Sequence, residues 1–84
     1  MSGDRKYRFY YGSPQTEKWE EVTDIIYDRH VVNGKVKFGE EENLDIYLGD
    51  PVVGLPKQLL VRKASDWSEV QRFWQRAPIL FVVE

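Results

Sequence analysis

Polar and apolar positions alternate along Tyr7-Arg8-Phe9-Tyr10-Tyr11, so that Tyr7, Phe9 and Tyr11 share one face while Arg8 and Tyr10 share the other. A period of two in strand-forming aromatics predicts an opening β-strand, and Gly12-Ser13-Pro14 supplies the turn chemistry that closes it. The same period returns in Lys35-Val36-Lys37-Phe38, directly after Val31-Val32-Asn33-Gly34. Asn-Gly suits the two positive-φ positions of a type I′ turn, and β-branched residues flank it, so this segment predicts a β-hairpin. Between these strands, Trp19, Val22, Ile25 and Ile26 recur at helical spacing. The density of Val, Thr, Ile and Tyr nevertheless favours a short strand over Trp19-Glu20-Glu21-Val22-Thr23 that passes into a helical turn at Asp24.

Glu40-Glu41-Glu42-Asn43 is too acidic for a core and predicts a loop or a single helical turn, returning Leu44, Ile46, Tyr47 and Leu48 to the body. Gly49-Asp50-Pro51-Val52-Val53-Gly54-Leu55-Pro56-Lys57 then sets two prolines and two glycines in a constrained approach to the strand Gln58-Leu59-Leu60-Val61-Arg62. Each proline biases the residue before it away from helix, and the glycines open backbone conformations closed to other residues. Residues 66–76 predict a helix. Asp66 and Glu69 make a variant capping box, and Trp67, Val70, Phe73 and Trp74 fall on one stripe, ended by Pro78. The apolar run 79–83 reads as a strand covered on both faces and hence central in a sheet. Together these elements predict one α+β domain spanning residues 1–84. It is a mostly antiparallel sheet of about five strands, with a C-terminal amphipathic helix followed by a final strand.

Composition narrows the function classes. With 42% apolar, 31% charged and 14% aromatic residues, the 84-residue chain is rich enough in hydrophobic groups to fold. It has no cysteine, which removes disulfides and thiolate metal sites. The net charge of −2 is uneven, because residues 17–50 alone come to −6. That balance argues against a dedicated nucleic-acid binder, which carries a broad basic excess. Met1-Ser2-Gly3-Asp4-Arg5-Lys6 leads into an aromatic strand and not into an apolar signal core, so a soluble, cytoplasmic protein is expected. No apolar run reaches the length of a membrane span.

No catalytic or metal constellation emerges. His30 is the single histidine and has no nucleophile motif beside it. The carboxylates of 40–45 lack the alternating spacing of a calcium loop, and the loop from Gly49 to Gly54 lacks the Lys-Ser/Thr pair of a phosphate-binding loop. An enzyme and a bound cofactor are therefore not expected. Trp19, Trp67 and Trp74 each lie on a predicted apolar face and are assigned to the core.

The pattern resembles a small β-rich module found at the C-terminus of J-domain proteins of the DnaJ subfamily C member 11 type, with related units in other eukaryotic and viral chains. The matching residues are Trp19-Glu20-Glu21-Val22-Thr23, Val32-Asn33-Gly34-Lys35-Val36, Asp50-Pro51 and Gly54-Leu55-Pro56-Lys57-Gln58-Leu59. The resemblance covers roughly residues 7–62 and implies an accessory, non-catalytic module, without transferring any site residue.

The expected function is binding, with a protein as partner. Its expected surface joins Asp50, Val52, Val53, Leu55 and Lys57 of the proline–glycine loop to Arg8 and Tyr10 of the opening strand. Two alternatives follow from the same strand. Aromatic and basic side chains there suit nucleic acid or glycan, and its edge suits self-assembly into a homo-oligomer.

Overall fold

A computed structural model describes residues 5–39, 44–49, 54–74 and 76–83. Period-two alternation in β1 (Tyr7–Ser13) buries Phe9 and Tyr11 completely and leaves Arg8 exposed. β1 is flanked on one side by β2 (Lys18–Glu21) and on the other by β5 (Gln58–Lys63), both antiparallel. β6 (Glu69–Trp74) extends the sheet beyond β5, giving the order β2-β1-β5-β6. A second antiparallel sheet is built from β3 (Val31–Val32), β4 (Lys35–Phe38) and β7 (Ile79–Val82) in that order.

The inner faces of the two sheets meet through rings. Phe81 of β7 lies 5.0 Å from Tyr7, 6.1 Å from Phe9 and 6.4 Å from Phe73, edge to face in each case. Val36, Phe38, Leu59, Val61 and Ile79 fill the space around them. Burying side chains of this size contributes about 1.5–3 kcal/mol each. One end of the core is closed by a helical segment, α1 (Thr23–Ile25), which continues as a π-helical turn (Ile26–His30) carrying the buried Ile26. The other closure is α2 (Leu44–Leu48), whose Leu44 and Leu48 point inward at i and i+4 while Ile46 and Tyr47 stay exposed.

Val22-Thr23 fastens the first closure to β1. The Phe9 N–H donates to Thr23 Oγ1 at 2.9 Å, and the Val22 N–H donates to the Phe9 carbonyl at 2.8 Å. The preferred reading of this region, strand then helical turn, matches what is observed. The hairpin at Asn33-Gly34 also forms with the expected turn, with φ values of 53° and 75°.

The α+β expectation is overturned. The described residues form seven strands in two sheets, and no C-terminal helix exists. Asp66 shapes a turn and not a helix start, because its Oδ1 accepts from the Ser68 N–H at 3.0 Å and the Ser68 hydroxyl at 2.7 Å. The Lys63 N–H donates to the Ser68 carbonyl and the Trp67 N–H to the Lys63 carbonyl, each at 2.9 Å, so the chain doubles back as a hairpin. β5 has an open backbone edge there, and pairing it with β6 satisfies more buried polar groups than a separate helix could. The residues of the supposed helical stripe are strand formers as well, and of them only Phe73 packs on the core.

β7 is corrected too. It lies beside β4 alone, with Ile79 and Phe81 buried but Leu80 and Val82 exposed, so it is not a strand covered on both faces. The acidic segment 40–43 lies outside the described residues.

Candidate interaction face

The outer face of the four-stranded sheet carries what the core does not use. Strand register places its side chains in three rows across the sheet. Trp19, Gly12, Gln58 and Trp74 form the first row, Glu21, Tyr10, Leu60 and Arg72 the second, and Arg8, Arg62 and Glu69 the third. Leu60 is informative. It is only 3% exposed, yet it does not belong to the core cluster, so something on the outer side must cover it.

Leu60 has Tyr10 and Arg72 as its cross-strand neighbours and shares the lining of one depression with Trp19 and Trp67. Trp19 stands on β2. Its ring has the Arg72 guanidinium 5.8 Å from its centroid, although the two residues stand on opposite edge strands. Gly12 makes the approach of β2 feasible, because a Cβ at that position would lie 1.9 Å from the Lys18 carbonyl oxygen. No side chain fits there.

Trp67 lines the same depression. It sits in the β5–β6 turn with φ at 66°, in the left-handed region, which is strained for a bulky residue. Four hydrogen bonds hold it there: the two of the Asp66–Ser68 turn, the Trp67 N–H to the Lys63 carbonyl, and Arg62 Nη1 donating to the Trp67 carbonyl at 2.7 Å. The indole stays 53% exposed, 5.8 Å from the Tyr10 ring and 5.8 Å from the Arg8 guanidinium. Trp19 and Trp67 both line this depression of about 360 Å³, together with Leu60 and Tyr10. Pro14, Glu17, Arg62 and Arg72 complete its lining.

The charges of this face are largely matched internally. Arg8 pairs with Glu21 at 2.8 Å, and Arg72 grips both oxygens of Glu69 at 2.8 and 3.1 Å while also reaching Gln58 at 3.2 Å. The Arg72 hydrogen bond, opposed by slight desolvation, holds the Glu69 carboxyl below its ordinary range. Desolvation, reinforced by the charge of Glu21, raises the Tyr10 hydroxyl above its ordinary value, so it remains a proton donor. Exposed pairs of this kind contribute about 0–1 kcal/mol each. Their effect here is to orient side chains. Among the described residues, neither the Tyr10 hydroxyl nor the indole N–H of Trp19 or Trp67 has a hydrogen-bond partner.

Arg8 and Tyr10, picked out from the alternation of β1, both lie on this face. Asp50, Val52 and Val53 lie outside the described residues. Leu55 is half-buried and borders a separate hollow beside Trp74. Lys57, expected on the surface, is 2% exposed: its Nζ donates to the Leu55 carbonyl at 2.8 Å and faces Asp45 at 3.5 Å. Asp45 also accepts from the buried Tyr11 hydroxyl at 2.6 Å, so this cluster ties α2 to the sheet. The three tryptophans assigned to the core are instead half-buried or exposed, Trp74 at 52%.

Sequence reasoning missed Trp19, Trp67, Leu60, Arg62 and Arg72 as members of one face. The period-two continuation Leu60, Arg62 was readable, but the row that joins them to Tyr10 depends on strand register. Another hollow, of about 550 Å³, lies beside Arg5, Thr23 and Ala64. Arg5 there is engaged by Asp24, by Asp28 at 3.3 Å and by the Tyr27 ring. Among the described residues no group of three His, Cys, Asp or Glu side chains is placed to hold a metal ion, and no helix is long and apolar enough to cross a membrane. The chain matches no family model, no curated protein and no solved structure.

Proposed function

We propose that this chain is a non-catalytic binding module that takes a segment of a partner protein across the outer face of the β2-β1-β5-β6 sheet, between Trp19 and Trp67. The observation that carries the reading is the conformation of Trp67. A bulky ring held at positive φ by four hydrogen bonds in and around its turn, and still half exposed, stores strain in order to display a side chain. Aromatic anchors of this kind dominate protein recognition because they bring large contact area at little entropic cost.

The charge arrangement favours a protein segment over nucleic acid. Phosphates need cations that are free to pair with them, whereas Arg8 and Arg72 already hold Glu21 and Glu69. His30, the single imidazole, packs against the rings of Phe38 and Tyr47, which supports a binding role over acid–base chemistry.

Selection of random peptides displayed on phage against the immobilised protein tests the proposal. Enriched peptides are expected to lose binding to Trp67→Asn and Tyr10→Ala and to keep it with Leu80→Ser on the other sheet. Enriched peptides that ignore Trp67→Asn, or a selection that enriches none, would remove this face as the site.

A further inference from the structure

Resting on that reading of the outer face, we infer that the bound segment is proline-rich and enters as a polyproline II helix. The argument is a census of donors and acceptors. Around the depression, the groups without a protein partner among the described residues are three donors, the Tyr10 hydroxyl and the indole N–H groups of Trp19 and Trp67, and one acceptor side chain, the Glu17 carboxylate. An indole N–H only donates, and the raised Tyr10 hydroxyl keeps its proton. The site therefore offers ring faces and donors, with the Glu17 carboxylate at its border.

A fitting ligand must be rich in acceptors, poor in donors and able to cover rings. Proline has no backbone N–H, and a polyproline II segment leaves its carbonyls free of internal hydrogen bonds. Its carbonyls can take the three donors, and its rings can lie on the indoles without stranding an amide. An extended segment with ordinary amides would bury N–H groups against a surface that has few acceptors to meet them. A sugar would bring a hydroxyl donor with most of its acceptors.

The rigidity of the segment also matters, because little chain entropy is lost on binding. Glu17 is the one carboxylate bordering the depression that no arginine holds among the described residues. A basic residue beside the prolines would pair with it and set the direction of the chain.

Titration of the isotope-labelled protein, followed through the tryptophan indole signals by NMR, tests this with three defined probes. These are an acetylated oligoproline bearing one arginine at either end, an alanine–serine peptide of equal length and charge, and chitohexaose. Oligoproline is expected to shift the Trp19 and Trp67 signals saturably, binding about tenfold or more tighter than the alanine–serine peptide, a factor worth about 1.4 kcal/mol. Trp67→Asn, with a dispersed spectrum showing that it is folded, should abolish the shifts. Glu17→Gln should remove the preference between the two arginine positions. Equal binding of the alanine–serine peptide would overturn the polyproline inference while leaving a peptide site in place. Shifts with chitohexaose alone would overturn both readings, and no shift with oligoproline would overturn the inference.

Discussion

The two faces of the β1–β5 pair are built from neighbouring residues of the same strands, yet they solve different problems. Inward, Phe9, Tyr11, Leu59 and Val61 are fully buried and interlock with rings from the opposite sheet. Outward, Arg8, Tyr10, Leu60 and Arg62 share their face with two partly exposed tryptophans and a set of paired charges. The inner face is held by area removed from water. The outer face is held by orientation: guanidiniums over indoles, carboxylates gripping guanidiniums, and a turn locked in a strained conformation. A surface arranged in that way gains little stability from its charge pairs, which is why it, and not the inner face, is proposed as the binding surface.

Substitutions that separate the faces sharpen this contrast. Phe9→Ala should destabilise the fold by about 3–5 kcal/mol, measured by urea unfolding, because it empties the centre of the ring cluster. A loss below about 1 kcal/mol would mean that the two sheets do not share a core. Leu60→Ala, on the opposite side of the same strand pair, should lose about 2 kcal/mol, at the low end for a buried leucine, since the tryptophans above it can settle inward. A loss as large as that for Phe9→Ala would make the outer layer a second core and weaken its assignment as a binding surface.

Thr23→Val tests the joint that closes the inner face. It strands the Phe9 N–H and should lose about 1–3 kcal/mol by the same assay. Trp67→Asn should change stability little, or raise it by up to about 1 kcal/mol, because asparagine tolerates positive φ. A loss of about 2 kcal/mol or more would turn Trp67 into a structural prop.

The smallest effect concerns acid. The Ser68 N–H and hydroxyl lower the folded Asp66 pKa below its ordinary value. Its contribution is therefore present above the unfolded pKa and is lost as pH falls through the lower folded one. Tryptophan fluorescence should show a minor transition in that acidic window, and Asp66→Asn should remove it. A transition unchanged in Asp66→Asn would dissociate the turn from the carboxylate.

Much of the first half of the chain was readable because its signals are local. The Asn33-Gly34 turn needs only its own two residues to take positive φ, and β1 shows its faces in five consecutive side chains. Residues 66–74 misled for an equally physical reason. Asp66 followed by Glu69, with Trp67, Val70, Phe73 and Trp74 behind, satisfies the local rules of a helix. The free edge of β5 is a tertiary fact that those rules do not contain. Lys57 was placed outward because lysines are rarely buried, and its partners, the Leu55 carbonyl and Asp45, come from the turn before it and from α2.

The candidate site was half legible for the same reason. Arg8 and Tyr10 announce an outward face through alternation, whereas their union with Trp19, Leu60, Trp67 and Arg72 exists only once four strands are in register. Sequence alone determined the turn at Asn33-Gly34, the two-faced character of β1, and the absence of thiol chemistry, since each depends on residue type and near neighbours. Tertiary structure alone decided the two-sheet architecture, the strand at Glu69–Trp74 and the aromatic face. Each of these requires hydrogen bonds or ring contacts between residues far apart in the chain, and such pairings leave no imprint on local pattern.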